Sequence, residues 1–461
     1  MLEKHIYLKI ERIENYNPVE PEPADTTTRK YKRDCMYNVT TTKDLSDPPK
    51  SYTINHRNGL IPDHDPNEVK DRSLEAAIVY REYLNANYTI PKIDKLIFND
   101  INEPNYNRRV PGAVVYTHPN TKLIVHVFNS DNKPHSFHVH GLSYGIDSDG
   151  AWPFGIKSKD GRRSDKICHG EYWNYTFDIT QKMVGAWPFH EHYQAIEDNV
   201  KSGLFGGIIV IDSNELLPPS LEISKEIMEK YDKPSLTKDE YNSLNNEMLA
   251  LEKEFLLKYD ITSDKHNVGN RDSMPVIHVP LFYHGMDGAT LSTDCFNGRG
   301  YVGNSPTIIA WTGQKIKWYV FSLALDTEWH NFHPHSQRWS FANKTMDVRS
   351  ISPAESFIVD TTVPPVLLLS EEIKRQSDKT PNAKKYTFRG DFLFHCHIEM
   401  HMMNGMVGIM RSRQQVWLTK EQFEKIQDEK GIFQLDSNDN DCPQIGNDHC
   451  EDTQMPDHMN H

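Results

Sequence analysis

The feature that most constrains the fold of this chain is a set of four His-x-His pairs. Side chains on a β-strand alternate between its two faces, so each pair places two imidazoles on the same face of a strand. Eight neutral imidazoles suit copper, zinc, iron or nickel. One such pair is compatible with chance, whereas four pairs predict a metal cluster carried by β-strands. The pairs are His138/His140, His190/His192, His333/His335 and His395/His397.

The four pairs belong to an internal repeat. HSFHVH (135–140) and HNFHPH (330–335) share the pattern His-x-x-His-x-His, and residues 187–210 parallel residues 392–410. The chain therefore reads as two copies of one domain, each with two histidine motifs.

The composition indicates an all-β chain and excludes several classes of partner. Short β-branched and aromatic runs, such as TKLIVHVFN (121–129), lie between turn residues and predict many short strands. The net charge of −14 argues against a nucleic-acid partner. No apolar run reaches the roughly 18 residues that a membrane span needs. The N-terminus has no apolar core of a signal peptide, so none is visible in this chain.

The pattern divides the chain into five segments. Residues 215–272 are charged, and Thr237 with Glu240 resembles a capping box at the start of a helical pattern, so this segment is predicted to be a helical insert. The sequence leaves open whether Cys442 and Cys450, near the end of the chain, form a disulfide. The segments are an N-terminal part packed on the first domain (1–69), the first β-domain (70–214), the insert (215–272), the second β-domain (273–415) and an acidic polar tail (416–461).

A cysteine in the second repeat indicates a further metal site. In the sequence His-Cys-His, Cys396 points away from the face of its neighbours and is able to bind a separate metal. With His330, His401 and Met406 it forms the ligand set of a blue-copper electron-transfer site, in which thiolate and thioether favour copper. The alternative is that Cys396 is a small buried hydrophobic residue.

The first repeat lacks this site. Glu191 stands where the second repeat has Cys396, and Ile196 and Lys201 stand at the positions of the other two ligands that follow it. His135, the counterpart of His330, is thus left without a copper-binding set. It is predicted to be either a vestige or a group that orients a metal ligand.

These motifs resemble those of the multicopper oxidases, and the resemblance covers residues 70–215 and 275–412. Residues 76–92 and 135–151 are similar to the ceruloplasmin branch and to bacterial two-domain laccases. The resemblance implies two cupredoxin-like Greek-key β-sandwich domains with a helical insert between them. The motifs are HVHG (138–141), HEH (190–192), HNFHPH (330–335) and HCHIEMHMMNGM (395–406).

The resemblance also implies copper roles for these residues, with one type 1, one type 2 and two type 3 copper ions per functional unit. The type 1 ligands would be His330, Cys396, His401 and Met406. The type 2 ligands would be His138 and His333, and the type 3 ligands would be His140, His190, His192, His335, His395 and His397.

Two carboxylates match acidic residues of the family. Asp149 follows the first motif, and Glu399 lies within HCHIE. Reduction of O2 to water consumes protons, and a carboxylate close to the copper ions could relay them. The alternative for each is to orient a ligand imidazole.

The resemblance implies an enzyme that couples one-electron oxidation of a metal ion or a phenol to reduction of O2, as ferroxidases and laccases do. It implies a homotrimer with the trinuclear cluster between subunits, and an extracytoplasmic location. Two alternatives stay open, a two-domain copper nitrite reductase and a copper-binding relative without enzymatic activity. Glu191 in place of a first-domain cysteine counts against the reductase.

Overall fold

The computed structural model describes residues 2–19, 70–258, 274–325 and 328–430. The strands are β1 (Leu2–Tyr16), β2 (Leu74–Tyr83), β3 (Val114–Thr117), β4 (Thr121–Asn129), β5 (His138–Val139), β6 (Tyr172–Ile179), β7 (Gly185–His190), β8 (Phe205–Val210), β9 (Ile277–Asp287), β10 (Ser292–Phe296), β11 (Thr307–Trp311), β12 (Lys315–Ser322), β13 (His330–Pro334), β14 (Trp339–Phe341), β15 (Lys344–Met346), β16 (Arg349–Ile351), β17 (Ser356–Thr362), β18 (Lys384–His395) and β19 (Val407–Leu418). The α-helices are α1 (Ile196–Lys201), α2 (Lys225–Tyr231), α3 (Lys238–Lys258), α4 (Glu371–Lys374), α5 (Glu399–Met403) and α6 (Lys420–Lys430).

The first β-sandwich consists of two four-stranded sheets, in the orders β2-β1-β4-β6 and β3-β8-β7-β5. Along β4, and along β6 from Tyr175 onward, every second side chain is buried, as expected for a strand with one face on a core. The core between the sheets includes Val125, Phe177, Phe189 and Ile208, all without solvent exposure. This alternation sends the opposite faces of the strands to solvent.

The second β-sandwich repeats the topology of the first. Its sheets have the orders β10-β9-β12-β17 and β11-β19-β18-β13-β16. In the first sheet of each sandwich, the central pair of strands is parallel and the two outer pairs are antiparallel. The sequence repeat therefore corresponds to a repeat of strand pairing. The predicted all-β fold with two sandwiches and a helical insert is confirmed.

The two sandwiches pack against each other through a shared apolar core. Phe282 stacks on Phe321 with ring centroids 4.3 Å apart, and Phe205 lies 5.5 Å from Phe282. A buried ion pair crosses the same boundary, since Arg299 Nη2 lies 2.5 Å from Asp100 Oδ2. Such a pair is costly to break, because either charge alone would be left buried.

The helical insert packs on the first sandwich. Leu244 and Met248 of α3 join Ile90 and Tyr106 in a separate apolar cluster. The start of α3 has the predicted capping box: Thr237 N donates to Glu240 Oε2 at 2.9 Å, and Glu240 N donates to Thr237 Oγ1 at 3.3 Å. The capping box is thus confirmed.

The chain divides into two compact units. The larger contains the first sandwich and most of the second, and the smaller includes residues 366–391, with the first part of β18, and the described residues from 413 onward, with the end of β19. Within the smaller unit Tyr386 stacks on Phe423 of α6 with centroids 4.3 Å apart. Residues 416–430 belong to the segment predicted as a polar tail and form the end of β19 and α6. Residues 431–461, including Cys442 and Cys450, lie outside the described residues.

Candidate copper centres

Antiparallel pairing of short strands brings the histidine motifs together. In the first sandwich β5 pairs with β7, and His138 lies opposite His190. In the second sandwich β13 pairs with β18, and His333 lies opposite His395. The register is the same in both, so each sandwich places its two His-x-His pairs side by side.

We call the four histidines of the first sandwich the first histidine cluster. His140 Nε2 lies 3.0 Å from His190 Nε2, so these two rings point their Nε2 atoms at the same space. The ring of His138 lies 4.9 Å from that of His192. The predicted metal ligands of the first repeat are therefore brought together.

The second histidine cluster, formed by the four histidines of the second sandwich, has the same arrangement. His335 Nε2 lies 3.0 Å from His395 Nε2, and the rings of His333 and His397 lie 4.9 Å apart. Three of these residues offer nitrogen atoms within 4.8 Å of one another. Imidazole nitrogens grouped in this way fit a copper ion.

Backbone carbonyls fix which ring nitrogen faces the metal space. His190 Nδ1 donates to Glu191 O at 2.7 Å, and His395 Nδ1 donates to Cys396 O at 2.8 Å. His138 Nδ1 lies 2.7 Å from Asp149 O. A ring that donates through Nδ1 keeps its Nε2 lone pair for a metal, as metal-bound histidines commonly do.

Burial keeps these imidazoles neutral. It lowers the pKa of His140 to about 4 and that of His190 to about 3, with further lowering by the neighbouring imidazoles. The pKa of His395 is lowered to about 4 for the same reasons. Neutral imidazole is the form that binds a metal, so the site needs no large change in pH to accept one.

The two histidine clusters stay apart within one chain. Among the described residues, no hydrogen bond or ring contact joins any histidine of the first cluster to one of the second. Each cluster thus offers four imidazoles, half of the set that the resemblance assigns to a trinuclear centre.

A third group lies in the second sandwich on the other side of the strand that carries His395. His330 Nδ1 and His401 Nδ1 lie 3.8 and 3.6 Å from Cys396 Sγ and 3.1 Å from each other. Burial raises the pKa of the Cys396 thiol to about 11. A soft metal would displace this proton, and one thiol with two imidazoles is the donor set that copper prefers.

Met406, the predicted fourth ligand, is fully buried beside this group. Cys396 N donates to Met406 O at 3.2 Å, and Met406 N donates to His401 O at 3.0 Å. These bonds close the loop between the cysteine and the methionine around α5. The role of the Met406 thioether as a ligand stays a prediction.

A cavity of about 480 Å³ opens at His401. Its lining includes three carboxylates, those of Asp287, Asp294 and Glu328, and two cations, Arg72 and Lys201. Burial raises the pKa of Asp294 to about 7, although a hydrogen bond from Asn404 Nδ2 at 2.8 Å opposes that shift. No short motif in the sequence marks these acids, because they come from β9, β10 and the loop before β13.

The two predicted proton-handling carboxylates differ in their surroundings. Asp149 Oδ1 lies 3.4 Å from His138 Nδ1, so this carboxylate contacts a predicted copper ligand. Glu399 is exposed in the first turn of α5. Their catalytic roles stay predictions.

His135 has partners that the sequence does not reveal. Its ring lies between the carboxylates of Glu191 and Asp131, each at 2.9 Å. The sequence comparison of the two repeats singles out Glu191, but nothing marks Asp131 as a partner before the fold is known.

Parts of this chain are similar to known proteins. Residues 102–215 match the family model of the multicopper oxidases. Human ferroxidase HEPHL1 is 20% identical over 384 residues, which cover 78% of this chain and 27% of that protein. Human ceruloplasmin is 22% identical over 257 residues, covering 53% of this chain and 22% of ceruloplasmin.

The chain spans about a quarter of the length of these curated relatives. A solved multicopper oxidase structure aligns with a TM-score of 0.45 and 13% identity, covering 89% of this chain and 88% of that one. No helix among the described residues is long and apolar enough to cross a membrane. The predicted resemblance to the multicopper oxidases is confirmed by the match of residues 102–215 to the family model and by the similarity to HEPHL1 and ceruloplasmin.

Proposed function

We propose that this chain, which carries a multicopper oxidase domain, oxidises a metal ion one electron at a time and reduces O2 to water. The single observation that carries the proposal is the group of Cys396, His330 and His401 in the sandwich that also holds the second histidine cluster, with a first histidine cluster of the same arrangement in the other sandwich. Blue-copper electron transfer needs the group of Cys396, His330 and His401. Multi-electron chemistry on O2 needs the two histidine clusters.

Type 1 copper would be held by His330, Cys396, His401 and Met406, and both histidine clusters would hold type 2 and type 3 copper. Bound copper would supply one-electron transfer at the type 1 site and four-electron reduction of O2 at the histidine clusters. Type 2 copper would be bound by His138 of the first cluster and His333 of the second. The other six histidines would bind the two type 3 copper ions.

The chain itself links the two kinds of site. Cys396 stands between His395 and His397 in sequence, so only a few covalent bonds separate the thiol from both imidazoles. His395 Nδ1 also donates a hydrogen bond of 2.8 Å to Cys396 O. With copper bound, Cys396 would therefore be the residue that connects the type 1 site to the histidine clusters.

A metal ion is the favoured electron donor because of the cavity at His401. Its walls carry Asp287, Asp294 and Glu328, and carboxylate oxygens are ligands for hard divalent cations. The half-buried His401 ring lies at the wall of this cavity, so with copper bound it would be the point at which an electron from the substrate enters the type 1 site. The human relative HEPHL1 is named a ferroxidase, and this agrees with the same class of substrate.

O2 uptake by the copper-loaded protein tests this substrate. Ferrous iron and a bulky phenol are compared side by side, each at several concentrations. The proposal expects a larger kcat/KM for iron, and Asp287→Asn should lower only that value. A larger kcat/KM for the phenol would instead indicate a laccase-type surface at His401.

Reduction of O2 requires that the two histidine clusters meet, and we propose that they meet between subunits of a homotrimer. The first cluster lies at an apolar surface. The Tyr144 ring lies 6.0 Å from that of His138, and Phe154 is 72% exposed. Trp152 N donates to His192 O at 3.1 Å, which ties this surface to the cluster. Exposed apolar residues of this kind commonly mark an interface.

The second cluster has a similar surface. Phe341 is 46% and Val348 36% exposed, and Val348 precedes β16, which pairs with the strand that carries His333. A head-to-tail contact between two different surfaces generates a closed ring when its rotation closes. A ring of three would join each first cluster to a second cluster of the next subunit.

Sedimentation tests the ring. The copper-loaded protein should sediment as a trimer, and Phe154→Glu should dissociate it and remove the type 3 absorbance while the blue colour stays. Leu216→Glu is the matched control, since Leu216 is 88% exposed and belongs to the segment between β8 and α2, which contributes no residue to either surface as defined above. A monomer with full copper content and full activity would refute the inter-subunit cluster.

Two other functions predict different results. A copper nitrite reductase would form NO from nitrite, yet Glu191 occupies the position where its first-domain cysteine would lie. A copper-binding protein without activity would fill every site and never consume O2. We also infer an extracytoplasmic location from the family resemblance, and fractionation of the source cells tests it.

A further inference from the structure

The first sandwich contains a buried charged group at the position of the missing type 1 site. His135 corresponds to His330, and Glu191 corresponds to Cys396. His135 Nδ1 lies 2.9 Å from Glu191 Oε2, so the two residues contact each other as their counterparts do. The pairing therefore survives, with a carboxylate in place of the thiol.

A third residue completes the group on the opposite edge of the ring. His135 Nε2 lies 2.9 Å from Asp131 Oδ2, and the side chains of all three residues are essentially without solvent exposure. We call Asp131, His135 and Glu191 the buried triad. Its two carboxylates lie on opposite sides of one imidazole, so they do not converge on a single point as ligands of one ion would. The buried triad is thus not a metal site.

The charges of the buried triad are balanced. Burial alone would lower the pKa of His135, but its bonds to Asp131 and Glu191 raise it to about 9. The imidazole is then an imidazolium between two carboxylates, and Arg12 Nη1 lies 3.5 Å from Asp131 Oδ1. Buried charges persist only when they are paired and hydrogen-bonded, and this group meets both conditions.

Glu191 also holds the backbone on both sides of the first histidine cluster. Its Oε1 accepts from Ser136 N at 3.2 Å and from Tyr193 N at 2.6 Å. Ser136 Oγ in turn accepts from His192 N at 3.1 Å. One carboxylate thus connects the segment that precedes His138 with the segment that contains His192.

We propose that Glu191, oriented by His135 and Asp131, is a positioning residue that holds the two His-x-His pairs of the first sandwich at the spacing of the copper cluster. This inference rests on the proposed function. Copper held by Cys396 and its neighbours would connect the corresponding segments of the second sandwich, whereas the first sandwich has the buried triad at that position. Groups that orient metal ligands typically change metal affinity by about 10- to 100-fold when they are replaced.

Glu191→Gln in the full-length, copper-loaded protein tests the proposal. Chelator competition should remove type 2 and type 3 copper at least about tenfold more readily than from the unmodified protein. The type 2 electron paramagnetic resonance spectrum should change, and the blue absorbance per chain should not, because its ligands lie in the second sandwich. Asp131→Asn, which reaches the cluster only through His135, should have a smaller effect in the same direction.

Glu103→Gln is the matched control. Glu103 is also a buried carboxylate that accepts from two backbone N–H groups, those of Leu96 at 2.7 Å and Ile97 at 2.8 Å. It lies outside the histidine motifs, so its replacement should lower the melting temperature and leave copper retention unchanged.

The outcomes separate the two proposals. Equal copper retention in Glu191→Gln and Glu103→Gln would overturn the positioning role, even if both variants lose stability. If Glu191→Gln does not fold, Asp131→Asn decides, and unchanged type 2 and type 3 copper in that variant would overturn the role. Absence of type 2 and type 3 signals from the unmodified protein would instead overturn the proposed function.

Discussion

The pKa of Asp294 should make oxidation of the metal ion depend on pH. Asp294 lines the cavity at His401, is 8% exposed, and accepts a hydrogen bond of 2.8 Å from Asn404. Because burial raises its pKa to about 7, the carboxyl is neutral below that pH and ionised above it. A divalent cation is attracted only by the ionised form, so its affinity should rise as the pH increases.

The size of the effect follows from the titration of one group. With a pKa of about 7, roughly 9% of Asp294 is ionised at about pH 6 and roughly 91% at about pH 8. If the cation requires this charge, its apparent dissociation constant should fall about tenfold over that range. Asp294→Asn should remove this pH dependence and show weak binding throughout.

Anaerobic stopped-flow measurements of the blue absorbance isolate the oxidation of the bound ferrous ion. Loss of the absorbance reports the arrival of an electron at the type 1 site before O2 is involved. The rate is measured against ferrous ion concentration at each pH. Asp287→Asn is the control, since Asp287 lines the same cavity with a side chain that is 55% exposed. It should weaken binding of the ferrous ion and leave the pH dependence in place. A flat profile for the unmodified protein, or an unchanged slope in Asp294→Asn, would refute the reasoning.

Three further predictions address the copper sites and the fold. Cys396→Ser should abolish the blue colour and leave copper in the histidine clusters, and a blue variant would refute the type 1 assignment. Asp149→Asn should slow reoxidation of the reduced protein by O2 more than reduction of its blue copper, and stopped-flow traces with equal effects would contradict a proton role. Asp100→Ala should lower the free energy of unfolding by about 3–5 kcal/mol, because it leaves Arg299 buried without its carboxylate. Urea denaturation measures this loss, and a change below about 1 kcal/mol would contradict it.

Much of the metal chemistry is predictable from the sequence because its ligands are local. The spacing of His395, Cys396 and His397 alone predicts that the thiol and the imidazoles point in different directions, and in the structure Cys396 Sγ lies near His401 whereas His395 Nε2 lies near His335 Nε2. The repeat predicts the common topology of the two sandwiches for the same reason, since each motif belongs to one strand pair.

The remaining features depend on contacts between distant segments. Asp294 and His401 are far apart in sequence and meet only because β10 and the loop around α5 share one end of the second sandwich. Asp131 becomes the partner of His135 through a loop turn that no periodicity marks. Charged residues dominate the segment after 416, so its composition hides the apolar contact between Tyr386 and Phe423.

The separation of the two histidine clusters within one chain has a genetic consequence. If each junction of the ring joins a first cluster from one subunit to a second cluster from its neighbour, two inactive variants can complement each other. One variant would lack imidazoles of the first cluster, such as His190, and the other would lack imidazoles of the second, such as His335. In rings assembled from equal amounts of both, about a quarter of the junctions would receive two intact halves and recover oxygen reduction.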